Sequence, residues 1–205
     1  MRGLMIIAWG ASLAFAAGAA AAADEHLVMK PYPAATPWKR ITDKSGPQGW
    51  LHEQIPGNHK DDDYSDILTD QAFAGSRGAD PAAFLQTIFR NVSSACDGVR
   101  VNGPTVRLEG GLRVAYGQVR CGTQRGESFG VHIFYKLISG DAALYSISRD
   151  FQVPASANGD QLVFAKGEAA KAAALLKAEA AADSYLLNQV YVCGGRSTDP
   201  RCAAR

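Results

Sequence analysis

The most regular alternation of apolar and polar positions in the chain lies in the stretch "ADPAAFLQTIFRNVSSAC". Phe84, Ile88 and Val92 recur every four residues, with Leu85 and Phe89 beside them, while Gln86, Arg90 and Ser93 fall elsewhere. At 3.6 residues per turn this is a single apolar stripe, and it predicts a helix over residues 80–96. Asp80 stands where its side chain can accept from the first unpaired N–H groups. Pro81 suits the first helical position, which has no N–H bond to lose.

Elsewhere the period is two. In "FGVHIFYKL", Phe129, Val131, Ile133, Tyr135 and Leu137 alternate with Gly130, His132, Phe134 and Lys136. In "LYSISRDF", Tyr145, Ile147, Arg149 and Phe151 share one face. Residues 98–153 therefore read as four strands of an antiparallel meander, turned at "EGG" and "SGDA". Upstream of the helix, after a loose proline-containing lead-in over 24–36, "TPWKRITD" and "QGWLHEQIPG" read as two short strands joined by "KSGP". A third follows in "YSDILTDQAFAG". The alanine-rich stretch over about 165–192 predicts a second helix. Its apolar face is interrupted by Glu179 and Asp183 among Leu175, Leu186 and Val190, which calls for a break near "AADS" or for partners to those acids.

These elements predict an α+β fold. An antiparallel sheet of five to seven strands is packed on one side by the mid-chain helix (about 80–96) and the long C-terminal helix (about 165–192). Residues 24–205 are expected to form a single globular domain.

The N-terminal 23 residues change the setting. A short positive start, Met1-Arg2-Gly3, leads into an apolar run that grades into alanine before Asp24-Glu25. That is the layout of a cleaved signal peptide, with the cut between Ala23 and Asp24. The run is long enough for a membrane anchor, but its small-residue exit and the absence of basic residues just after it favour cleavage. The expected location is periplasmic or secreted, with no stable membrane insertion after cleavage. Arg2 is the one charged residue removed, so the remaining chain is balanced between 20 acids and 20 bases. Such a chain has no charge excess to draw it to nucleic acid or to an anionic membrane.

Four cysteines, Cys96, Cys121, Cys193 and Cys202, all lie beyond the expected cut, an even number that suits an oxidising compartment. Three pairings are open. Cys193–Cys202, which closes "CGGRSTDPRC", and Cys96–Cys121 are the favoured set. A zinc site is the competing reading, but there is no C-x-x-C spacing and no histidine near the tail pair.

The candidate chemistry is sparse. "GNHKDDDYSD" places four aspartates and His59 in ten residues, yet lacks the D-x-D-x-D-G spacing of a calcium loop. It reads as a hydrated turn between strands, and neither a metal nor a cofactor is expected. In the meander, a three-residue turn at Glu109-Gly110-Gly111 would set Leu108 opposite Leu112 and Val106 opposite Val114. It would also set Arg107 opposite Arg113 and, past a shift of parity near Gly103-Pro104 and Gly117, Arg100 opposite Arg120. Like charges facing each other across strands repel, so an offsetting group is called for. Continuing the register puts Arg120 opposite Gly130 and Gln118 opposite His132, with Ser148 or Asp150 next. Arg100, Arg120, Gln118, His132, Ser148 and Asp150 thus form a candidate ligand-binding set on an outer sheet face, suited to a small anion.

Arg149, on the apolar face of its strand, needs a buried partner, for which Glu179 or Asp183 is available. Trp38 and Trp50 are core residues or a ligand platform. No G-x-S-x-G elbow, H-E-x-x-H motif or glycine-rich phosphate loop is present. The expected function is a non-enzymatic exported binding or accessory protein for a small anion or a protein partner. The alternative is a small exported hydrolase using His132 with nearby carboxylates.

Overall fold

The computed structural model describes residues 25–32, 37–63, 65–159 and 161–203. The expected signal segment and its cleavage point lie outside these. The fold is α+β: a seven-stranded antiparallel sheet, a two-stranded sheet and two helices.

The chain runs β1 (His26–Met29), β2 (Trp38–Gly46), β3 (Gly49–Pro56), β4 (Asp66–Phe73), α1 (Pro81–Ser94), β5 (Cys96–Glu109), β6 (Leu112–Gln124), β7 (Phe129–Ser139), β8 (Leu144–Pro154), α2 (Ala169–Asn188) and β9 (Val190–Cys193). The large sheet has the order β2-β3-β4-β8-β7-β6-β5. The first three strands and the later four are joined where β4 pairs with β8. The small sheet pairs β1 with β9, His26 opposite Cys193. Neither of its strands was read from the sequence, and the helix expected to run to 192 ends at Asn188 to make room for β9.

The expected packing on one side is corrected. The helices cover opposite faces. Leu85 and Phe89 of α1 are buried with Val119, Ile133, Tyr135 and Leu137. Ala182, Tyr185 and Leu186 of α2 are buried with Val114, Phe134, Ile138, Tyr145 and Ile147. Successive strand residues point to opposite faces, so these two sets mark the two sides of one sheet. The α1 side is tight: a Cβ on Gly117 would come within 2.5 Å of the Phe89 ring. Asp80 accepts from Ala82 N–H at 2.9 Å, as its position before Pro81 suggested.

The β5–β6 turn is shorter than expected. Glu109 pairs with Leu112, and Gly110 and Gly111 form a two-residue turn with φ of +53° and +80°. Such a turn needs two left-handed residues, which glycine supplies without strain. The consequence is a one-residue slip near the turn: Arg107 faces Val114 and Leu108 faces Arg113, so the expected Arg107–Arg113 pair does not form. An extra residue in β5 between Asn102 and Thr105 restores the register beyond it, and Arg100 faces Arg120 as expected.

All four cysteines are paired, Cys96 with Cys121 and Cys193 with Cys202. The second bridge holds the end of β9, and through it the small sheet, to the C-terminal turn. Among the described residues no helix is long and apolar enough to cross a membrane.

Candidate functional site

On the face that carries α2, the large sheet presents rows of side chains across its strands. One row runs Arg100, Arg120, His132, Phe151, Asp66, and the next runs Asn102, Gln118, Phe134, Arg149, Leu68, Gln54. Helix α2 lies over β7 and β8. It covers the middle of each row and leaves both ends open.

The β5–β6 end holds half of the sequence-derived set, joined by Asn102. Arg100, Asn102, Gln118 and Arg120 line a cleft of about 350 Å³ together with Val101. Arg100 and Arg120 are directly opposed, as are Asn102 and Gln118. The segment after β8 packs closely beside β6, and a Cβ on Gly159 would lie 2.1 Å from the Arg120 carbonyl oxygen. Two polar atoms at the cleft floor, Gln118 Oε1 and Arg120 Nε, are buried without a hydrogen-bond partner among the described residues. Buried groups in native proteins are nearly always paired, so adjacent orphans in one cleft point to an absent partner.

The other three members fare differently. Arg120 faces His132, and Gln118 faces Phe134, two residues on from the expected register but with the same facing preserved. His132 is 2% exposed, and its Nδ1 lies 2.7 Å from Glu179 Oε1 beneath α2. It lines neither of the cavities on this face. Ser148 and Asp150 are a correction: they pair with Tyr135 and Ile133 and therefore point to the α1 side. Both faces of β7 are covered, one by each helix, so there is no outer face on which all six could gather.

On that opposite side Ser148 Oγ donates to Asp150 Oδ1 at 2.8 Å. Burial pushes the Asp150 carboxyl up to about 7, against the pull of the Ser148 bond, with Glu53 and Asp66 adding repulsion and Arg149 opposing it. Its ordinary value in an unfolded chain is about 3.9. Ionisation is thus disfavoured in the folded state alone, and the stabilising contribution is present below about pH 4 and fades as pH rises through 7. Asp150→Asn is expected to raise stability at pH 8 by roughly 1–3 kcal/mol while changing it little at pH 4. Urea unfolding at the two values checks this.

Of the two helix acids flagged by sequence, one finds a buried partner. Glu179 takes His132 rather than Arg149, α2 continues unbroken past it, and Asp183 is exposed. Arg149 pairs instead with Asp66, through Nε–Oδ1 at 2.6 Å and Nη2–Oδ2 at 2.7 Å. The turn between β3 and β4 spreads its aspartates: Asp61 meets Lys39 at 2.6 Å, and Asp63 meets His59 at 3.3 Å and accepts from Ser65 N–H. That dispersal predicts no site for calcium, zinc or manganese tighter than about 10⁻³ M, measurable by calorimetric titration.

At the opposite end of the rows a larger cavity opens, of about 740 Å³, with Trp38 and Trp50 in its wall. The sequence offered these two as core or platform, and the structure makes them half-buried pocket walls. They stand toward opposite ends of the β2–β3 hairpin, Trp38 facing Pro56 and Trp50 facing Ser45, and the N-terminal segment that completes the pocket carried no periodic signal.

No protein-family model matches the chain, and no curated protein matches its sequence. Among solved structures it is similar to LpqN, involved in cell envelope biogenesis of Mycobacterium tuberculosis. Identity is 14%, the TM-score is 0.38, and the match covers 82% of this chain and 84% of that one. A likeness of that degree carries no argument about function.

Proposed function

We propose that the chain is an exported, non-enzymatic binding protein that takes a small oxyanion in the cleft between β5 and β6. The observation that carries this reading is the orphaned pair at the cleft floor, Gln118 Oε1 and Arg120 Nε, set under two opposed arginines. Each of the two buried orphans costs about 1–3 kcal/mol. One ligand relieves both. The guanidinium fork suits the oxygens of a carboxylate, phosphate or sulfate, and the Gln118 carbonyl suits a ligand O–H or N–H. Monohydrogen phosphate or a hydroxy acid has both features.

Export is supported by the signal-like start and by two disulfides that use every cysteine. A hydrolase built on His132 is disfavoured by geometry. A general base must reach the proton it removes, and this imidazole is buried against Glu179 with α2 above it.

Isothermal titration with phosphate and with sulfate, against chloride at matched ionic strength, tests the proposal. Saturable binding is expected, and Arg120→Gln should weaken it by roughly 1.5–3 kcal/mol, the worth of a charge-assisted hydrogen bond. Asp150→Asn should leave it unchanged, because that side chain lies on the other face. Equal weakening by both variants, or no saturable heat, would refute the site.

A further inference from the structure

The larger cavity carries a second inference, independent of the arginine cleft. Its floor is the sheet face of β2, β3 and β4, and its far wall is built by Tyr32 of the N-terminal segment and Tyr185 of α2. Those two rings meet edge to face at 4.8 Å, and Tyr32 meets Trp38 in the same manner at 5.6 Å. Across from them Trp50 and His52 stack at 6.1 Å with planes 21° apart. One carboxylate oxygen fixes that plate: Asp70 Oδ2 accepts from Trp50 Nε1 at 3.0 Å and lies 2.8 Å from His52 Nδ1. The volume of about 740 Å³ is within the range that holds drug-sized ligands.

Two features narrow the occupant. Trp38 Nε1 is buried without a partner among the described residues, so the cavity wall holds an unused donor. The charges oppose a strongly ionic guest of either sign. Arg149 already lies 4.2 Å from the Trp38 ring and 4.3 Å from Tyr32, so a cationic ligand would meet a like charge fixed in the aromatic wall. An anion would meet Asp70, which is 6% exposed. Flat aromatic walls, an N–H donor and the side chains of Gln54, His52 and Arg40 suit a neutral ring with apolar C–H faces and hydroxyls around its edge.

We infer that this cavity binds a pyranose unit of a neutral glycan, with a C–H face of the sugar against its aromatic wall and its hydroxyls on the polar groups that line it. Of the three tryptophans in the sequence, the one outside this wall is Trp9, in the expected signal segment. Intrinsic fluorescence of the purified exported chain therefore reports on the cavity directly.

The test is a fluorescence titration with maltose, cellobiose and N,N′-diacetylchitobiose, with tetramethylammonium and phosphate as charged controls. At least one disaccharide is expected to give a saturable change at millimolar concentration or below. Trp38→Phe, which keeps a ring but removes the N–H, should weaken it about tenfold, as should Gln54→Ala. Arg120→Gln should leave it unchanged. Failure of all three sugars, saturation by a charged control alone, or unaltered affinity in both pocket variants would overturn the inference.

Discussion

Replacing Asp66 with alanine is expected to destabilise the protein by about 3–5 kcal/mol, the usual cost of leaving one member of a buried ion pair alone. Arg149 is 3% exposed and is held by Asp66 through two parallel N–H···O bonds. Its guanidinium is enclosed by the rings of Tyr32, Trp38 and Phe151 at 4.2–5.0 Å, so water cannot replace the lost carboxylate. Its Nη1 already lacks a partner among the described residues. Because Arg149 braces Tyr32 and Trp38, the same change should also loosen the wall of the aromatic cavity. A double replacement, Asp66→Leu with Arg149→Met, removes both charges and should recover most of the loss. Urea unfolding of the three proteins decides the matter. A loss below about 1 kcal/mol for Asp66→Ala would place the pair among weak surface bridges instead.

The second large effect is expected at Glu109. Its carboxylate gathers Lys136 Nζ at 2.7 Å, the Tyr116 hydroxyl and Arg107 Nε at 2.7 Å. Burial alone would raise this carboxyl, but the hydrogen bonds from Lys136, Tyr116 and Arg107 bring it below its ordinary value. Lys136 is 0% exposed, and burial pushes its ammonium down to about 8 even with Glu109 beside it. Glu109→Ala leaves that ammonium with the Val190 carbonyl, at 2.6 Å, as its remaining anchor in the network. A loss of about 3–5 kcal/mol is expected at pH 7. Above the lysine's shifted value the folded protein can shed the stranded proton, so the loss should shrink by pH 9. A pH-independent loss would mean that packing, not the charge on Lys136, accounts for it.

How legible the architecture was varies by element, for physical reasons. Helix α1 was readable because its stripe, its Asp80 cap and Pro81 all agree. The meander was readable from its period of two. The four-residue strands β1 and β9 were not: "HLVM" and "VYVC" are too short for a pattern, and they pair across nearly the whole chain. The β5–β6 register turned on one residue of turn length, which is why Arg107 and Arg113 were mispaired while Arg100 and Arg120, beyond a compensating bulge, were not.

The errors in the candidate set share one cause. Alternation in β7 suggested a buried face and a wet one, but α1 and α2 bury both, and His132, Phe134 and Lys136 are all inside. The sheet therefore has no solvent face there, and polarity could not place Ser148 and Asp150. The aromatic cavity was half visible. Trp38 and Trp50 sit on adjacent predicted strands, but Tyr32 and Tyr185 reach them only through the tertiary fold.

The oxyanion cleft is tested most directly by unfolding Arg120→Gln in urea, with and without phosphate, beside the wild type. Without phosphate the variant should be as stable as wild type or slightly more so, because it loses a buried orphan. With phosphate at about 100 times its dissociation constant the wild type should gain about 2.7 kcal/mol, and the variant clearly less. Clear destabilisation of the variant in the absence of phosphate, with equal gains on adding it, would show that Arg120 holds the sheet together and that the cleft is not a binding site.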